Sequence, residues 1–243
     1  MIDPALIVFD LDGTLVDSGL DLANAVNALI AELGRPALPE AAIISMVGDG
    51  AGVLVRRALT AASLDPETPG ALERFLEHYG PHLLDNTRPY PGILDALEWI
   101  GRRFRIAVLT NKPGAATEVI LDGLGLRRYF QDVIGGDSVH GRKPAPAGLI
   151  HLAANARVTP SRVLMVGDSP VDLATARNAG TQICLARYGF GYRFTSADFR
   201  GDELFIDSPL ELIPLLDDAG CERRGGRDPG RGIRDARGER ARQ

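Results

Sequence analysis

The chain has 243 residues, 45% of them hydrophobic, with a net charge of −5. That is enough chain and apolar content for one large domain or two unequal ones, and it excludes disorder of the whole. The acidic balance argues against a nucleic-acid binder, the more so because Glu222 to Gln243 holds eight Arg against four acids and leaves the body with 19 basic and 28 acidic residues.

Ala5 to Phe9 is a short apolar run that ends at a polar, glycine-containing segment, as a buried strand does. Between Ser18 and Pro89 no strand pattern is visible. Leu22, Val26, Ile30 and Leu33 mark an amphipathic helix stopped by Gly34-Arg35-Pro36, and Ala41–Val47, Val53–Ala62 and Ala71–Leu84 read as three more. Pro89-Tyr90-Pro91-Gly92 reads as the hinge leading back. Apolar runs then recur at Ile106–Leu109, Val133–Ile134, Val163–Val166, Ile183–Ala186 and, more weakly, Leu204–Ile206. Helical patterns separate them, at Ile93–Ile100, before Gly125, over Gly148–Ala156 and over Val171–Ala179. Buried strands alternating with helices predict an α/β fold with a mostly parallel sheet. The expected division is a core from 1–17 and 89–218, a small helical unit from 18–88, and a disordered Arg- and Gly-rich tail from 219–243. With only Cys184 and Cys221, no disulfide is expected. No signal peptide and no membrane-length apolar run is visible, so the expectation is a soluble cytoplasmic protein.

Four segments stand just past strand ends, where an α/β sheet carries its functional residues. In Phe9-Asp10-Leu11-Asp12-Gly13-Thr14, residues i and i+2 of an extended chain point the same way, so Asp10 and Asp12 are expected to crowd two carboxylates together. Such a pair calls for a shared proton or a cation, and hard divalent cations take these oxygens. Thr110-Asn111 follows the second long strand, where a hydroxyl and an N–H can hold a phosphate oxygen. Lys143, before Pro144, could bring one positive charge to a phosphate, although alone it reads as a surface lysine. Asp168 and Asp172, in Gly167-Asp168-Ser169-Pro170-Val171-Asp172, can complete a carboxylate set around a metal while also serving the start of a helix.

In this order the four segments resemble the motifs of the haloacid dehalogenase-like superfamily of phosphohydrolases, over roughly residues 5 to 216. Within it, the opening Val8 to Ser18, Val47-Gly48-Asp49-Gly50-Ala51 with Arg57-Ala58-Leu59, Thr110-Asn111-Lys112-Pro113, Ile134 to Asp137 and Tyr188-Gly189-Phe190-Gly191 are similar to bacterial phosphoglycolate phosphatases. The resemblance implies a Rossmann-like three-layer core with a helical cap inserted after the first strand. It implies a phosphoric monoester hydrolase in which Asp10 is the nucleophile and Asp12 the general acid and base. Mg²⁺ would be held by Asp10, Asp12 (through its backbone carbonyl), Asp168 and Asp172. Thr110, Asn111 and Lys143 would hold the phosphoryl group. Arg57, in the cap, would pair with the far end of a short anionic ester, with 2-phosphoglycolate as the expected substrate. Another small phosphorylated metabolite, or a sugar-phosphate mutase reaction, is the alternative. No nucleic-acid or membrane partner is expected, and the protein would act as a monomer or homodimer.

Overall fold

The computed structural model describes residues 3–221. The tail anticipated from Ala219 lies, from residue 222 on, outside the described residues. Six strands form one parallel sheet: β1 (Leu6–Phe9), β4 (Arg105–Leu109), β5 (Asp132–Ile134), β6 (Val163–Gly167), β7 (Gln182–Ala186) and β8 (Leu204–Ile206). Their order is β5-β4-β1-β6-β7-β8, with β1 at the centre between β4 and β6. All six are where the apolar runs predict them. The strands are apolar on both sides because both sides are covered. Ile7 and Phe9 enter one core cluster with Val108, Leu164 and Val166, while Leu6 and Val8 enter a second with Leu109, Val163 and Met165. Helix α5 (Ile93–Gly101) packs its Leu97 and Ile100 into the first. Helices α7 (Ala147–Ala156) and α8 (Pro170–Ala179) pack Leu149, Leu152 and Leu173 into the second. Each such side chain, fully buried, is worth about 1.5–3 kcal/mol. This is a Rossmann-like three-layer core.

Four helices intervene between β1 and β4: α1 (Gly19–Glu32), α2 (Glu40–Ile44), α3 (Ala51–Ala61) and α4 (Ala71–Tyr79). Leu22, Val26, Leu29 and Ile30 of α1 are buried along one face and join Leu59 and Phe75 in a core continuous with that of the sheet. Two findings differ from the sequence reading. Arg88–Pro89 is a strand, β3, paired antiparallel with β2 (Val16–Asp17) where the chain leaves and rejoins the core. Two residues are too few to show a period. The helix expected over Ala71–Leu84 stops at Tyr79 and gives way to a 3₁₀ turn, Gly80–His82. Pro81 has no N–H to give the preceding turn and its ring clashes with it. No described helix is long and apolar enough to cross a membrane.

One buried carboxylate ties the exit of the helical segment to its entrance. Asp21, in the first turn of α1, accepts the N–H and side-chain amide of Asn86 and the N–H and hydroxyl of Thr87 at 2.7–3.0 Å. Burial pushes its carboxyl up, but these donors outweigh burial and hold it below the usual carboxylate range. Its contribution is therefore present above the unfolded value of about 3.8 and lost as pH falls through the lower folded value. Asp21→Ala strands buried donors and should cost about 3 kcal/mol at pH 7, read from denaturant or thermal unfolding. A loss below about 1 kcal/mol would show that water replaces the carboxylate.

Candidate active site

The segment after β1 turns at once instead of continuing extended. Gly13 has φ +85°, a left-handed conformation open to glycine at little cost, and a Cβ there would lie 2.1 Å from Asp168 Oδ2. Gly189 is equally constrained by close approach, since its Cβ would meet both Asp168 and the Gly13 carbonyl oxygen at 2.3 Å. The two glycines let the β1 and β7 loops close around Asp168. Its Oδ1 accepts the Thr14 hydroxyl at 3.1 Å and its Oδ2 the Gly191 N–H at 2.7 Å.

Asp10, Asp168 and Asp172 are all buried, and one carboxylate oxygen from each lies within 4.8 Å of the others. Asp172 is fixed by the start of α8. Its Oδ2 accepts the Ser169 N–H and hydroxyl, and the Ser169 hydroxyl oxygen accepts the Asp172 N–H, a reciprocal cap with Pro170 at the first helical position. Its Oδ1 accepts from Lys143 Nζ at 2.6 Å, and the same ammonium lies 2.7 Å from Asp10 Oδ1. Lys143 is thus a buried cation between two carboxylates, where the sequence taken alone reads a surface lysine. Asn111 fastens it. The Asn111 Oδ1 accepts the Lys143 N–H at 2.8 Å, and Nδ2 donates to the Lys143 carbonyl and to the Gly48 carbonyl of the helical segment, each at 3.0 Å. The Lys143–Pro144 peptide is cis.

Burial pushes the Asp10 carboxyl up to about 7, with Lys143 pulling it down and Asp172 adding to the rise. Burial, then repulsion from Asp172 and Asp10, pushes Asp168 well above the carboxylate range. Burial works against the Lys143 ammonium, but Asp10 and Asp172 outweigh it and hold its affinity for the proton above that of an ordinary lysine. Three carboxylates thus face one resident cation. The Asp10 Oδ1 is buried without a hydrogen-bond donor in proper geometry, even with Lys143 at ion-pair distance. An oxygen-only donor set, an excess of negative charge and an orphaned carboxylate oxygen fit a hard divalent cation.

The expected crowding of Asp12 against Asp10 takes a different form. Both side chains line one cleft, but the Asp12 carboxylate is not in the cluster of three. It accepts from Lys112 Nζ at 3.0 Å on both oxygens and from the Ser18 hydroxyl at 2.5 Å on Oδ1. Lys112 is buried and also donates to the hydroxyl of Tyr79, at the end of α4, at 2.8 Å. Burial works against its ammonium, and Asp12 and Tyr79 outweigh it. Burial pushes the Tyr79 hydroxyl up to about 12. Lys112 and Tyr79 were not among the sequence candidates. The one signal was Lys112 directly after Thr110-Asn111.

The cleft lies between the sheet end and the inserted helices. Thr110, Asn111 and Lys112 line it from the core, and Leu22, Val47, Leu54, Phe75 and Leu76 from the inserted segment. Thr110 is buried there, its hydroxyl oxygen accepting the Lys112 N–H at 3.2 Å. Arg57 is not a lining residue. It pairs with Asp49 at 2.7 Å, donates to the Met46 carbonyl at 2.9 Å and is 45% exposed.

Residues 7–186 match the family model described as haloacid dehalogenase-like hydrolase. The chain is 40% identical over 224 residues to phosphoglycolate phosphatase 1 of Pseudomonas aeruginosa, covering 89% of this chain and 81% of that protein. It is 44% identical over 195 residues to the phosphoglycolate phosphatase of Rhodospirillum rubrum, covering 77% and 81%. Among solved structures it is similar to a predicted phosphoglycolate phosphatase from Haemophilus somnus, with a TM-score of 0.81, 31% identity and coverage of 89% and 99%.

Proposed function

The chain belongs to the haloacid dehalogenase-like hydrolase family and is a phosphoric monoester hydrolase, and from that premise we propose that it converts 2-phosphoglycolate to glycolate and phosphate through a phosphoryl group carried on Asp10. The observation that carries the mechanism is the double membership of Asp10. It lines the cleft, and it also belongs to the buried carboxylate cluster that Lys143 only partly neutralises.

In this reading the inserted helices 18–88 are a cap over the core 1–17 and 89–218. Asp10, Asp168 and Asp172 would hold Mg²⁺ together with the Asp12 backbone carbonyl, and the ion, when bound, would offset the repulsion between an anionic nucleophile and an anionic phosphoryl group. Asp10 attacks phosphorus and the ester oxygen leaves. Lys143 and Thr110 hold the transferring oxygens, where charge placed in advance in a dry site acts most strongly. Asn111 acts behind them by fixing the Lys143 backbone. Asp12 gives its proton to the departing alkoxide and then takes one from the water that hydrolyses the acyl phosphate. Its tie to Lys112 and Ser18 gives it an orientation independent of Asp10. The cleft encloses about 60 Å³, room for several water-sized groups, which favours a short ester. The names of the curated relatives support the same substrate.

A panel of phosphate esters assayed with Mg²⁺ and with chelator tests the reading. The highest kcat/KM should fall on 2-phosphoglycolate, with inorganic phosphate released in full and activity lost in chelator. Higher kcat/KM on hexose phosphates would overturn the substrate. An isomerised sugar phosphate in place of free phosphate would make the enzyme a mutase.

A further inference from the structure

Of the side chains lining the cleft, among the described residues, only Lys112 is cationic. The apolar side chains that the inserted segment brings, Leu22, Val47, Leu54, Phe75 and Leu76, carry no charge, and its Gly48, Gly50 and Ala51 add no cationic side chain. Arg57 is engaged with Asp49 away from the lining. Lys143, between Asp10 and Asp172, serves the transferring phosphoryl group in the reading above. Among the cleft's lining side chains, a second negative charge on a substrate therefore has one cation to meet.

Resting on the 2-phosphoglycolate reading above, we infer that Lys112 recognises the carboxylate of the substrate and that Tyr79 positions Lys112 for it. The reach is right. Lys112 Nζ touches both Asp12 oxygens at 3.0 Å. An ester oxygen within hydrogen-bond distance of Asp12 lies roughly 2.7 Å from it. The carboxylate carbon of 2-phosphoglycolate is two bonds further, roughly 2.5 Å. A carboxylate there can come within ion-pair distance of the ammonium that both Asp12 oxygens hold. All three N–H groups of Lys112 are engaged, two by Asp12 and one by the Tyr79 hydroxyl, so the substrate carboxylate takes over one of the Asp12 contacts and needs no new cation brought into the site. Tyr79 comes from α4, so the cation is held from the helical side while its backbone belongs to the core. A neutral ester of the same length leaves Lys112 with Asp12 and Tyr79 and gains nothing from it.

The test compares 2-phosphoglycolate with 2-hydroxyethyl phosphate, of equal length but with a neutral end, in the Mg²⁺-loaded full chain. The readout is the ratio of their kcat/KM values. A merely structural role for Lys112 would lower both and leave the ratio unchanged. Wild type should favour the anionic ester. Lys112→Met should lose activity on both and reduce the ratio roughly 30-fold or more, chiefly through KM for 2-phosphoglycolate. Tyr79→Phe, which keeps the ring and removes one hydrogen bond, should reduce the ratio several-fold, and it decides the matter if Lys112→Met does not fold. A wild type without preference for the anionic ester would overturn the substrate reading itself. A wild-type preference that survives in Lys112→Met, or in Tyr79→Phe where only that variant folds, would overturn the assignment to Lys112 and leave the substrate standing.

Discussion

Asp10→Asn should lower turnover roughly 10⁴-fold or more while leaving the protein folded. An amide of the same shape cannot form the acyl phosphate, and Thr110, Lys143 and Asp12 acting without a nucleophile recover only a small part of the rate. The fold should tolerate the change because the carboxylate is a cost to it. Burial raises the Asp10 carboxyl to about 7, so between about pH 4 and 7 the metal-free native state keeps a proton that the unfolded chain releases. Stability drawn from that proton is complete below the unfolded value and is lost as pH rises through the folded one. Above pH 7 the native state carries the full cost of a buried, crowded charge. Asparagine carries none of it, and Lys143 keeps Asp172 at 2.6 Å. In chelator at pH 8 the variant should therefore melt no lower than wild type. Retention of more than a few percent of wild-type turnover would sink the covalent mechanism. A melting temperature several degrees lower would instead make Asp10 a structural ion-pair partner.

How far the sequence reaches depends on how local each interaction is. The six strands of the sheet are legible because each is an apolar run covered on both faces, and Asp10, Thr110 and Asp168 are legible because each follows such a run. Lys143 is different. Nothing near it in the chain says that it is buried, since its partners Asp10, Asn111 and Asp172 come from the end of β1, the end of β4 and the first turn of α8. The pairing of Lys112 with Tyr79 is harder still, because it joins a loop after β4 to the last residue of α4 and depends on how the inserted helices sit on the sheet. Arg57 shows the converse. Its planar fork suggests anion recognition, yet Asp49, eight residues earlier, satisfies it within the helical segment. The early end of α4 was legible in Gly80-Pro81, and the pattern of apolar residues running on to Leu84 outweighed it.

Lys143→Met should bind Mg²⁺ more tightly and turn over far more slowly. The ammonium lies 2.7 Å from Asp10 and 2.6 Å from Asp172, so it repels any cation that the three carboxylates would hold. Two unit charges about 4 Å apart interact by about 4 kcal/mol at the effective dielectric of such sites. Even after relaxation, the Kd for Mg²⁺ should drop by about tenfold or more, as calorimetric titration would read it. Turnover should fall roughly 10²–10³-fold, because a preorganised charge on the transferring oxygens is gone. Without metal the same change strips Asp10 and Asp172 of their counter-charge, and loss of one partner from a buried pair costs about 3–5 kcal/mol. The pH dependence follows from the sign of the shift. Lys143 lowers the Asp10 carboxyl, so its removal lifts that group further above about 7. Metal-free Lys143→Met should then lose stability progressively as pH rises from about 4 to beyond 7, with the largest deficit against wild type at pH 8 and the smallest near pH 5. Saturating Mg²⁺ stabilises both proteins and should narrow the gap only by the difference in binding, about 1.4 kcal/mol for a tenfold lower Kd. Weaker Mg²⁺ binding in the variant would mean that Asp10, Asp168 and Asp172 do not form the cation's site. A deficit that did not change with pH would mean that Lys143 contributes by packing and not by charge.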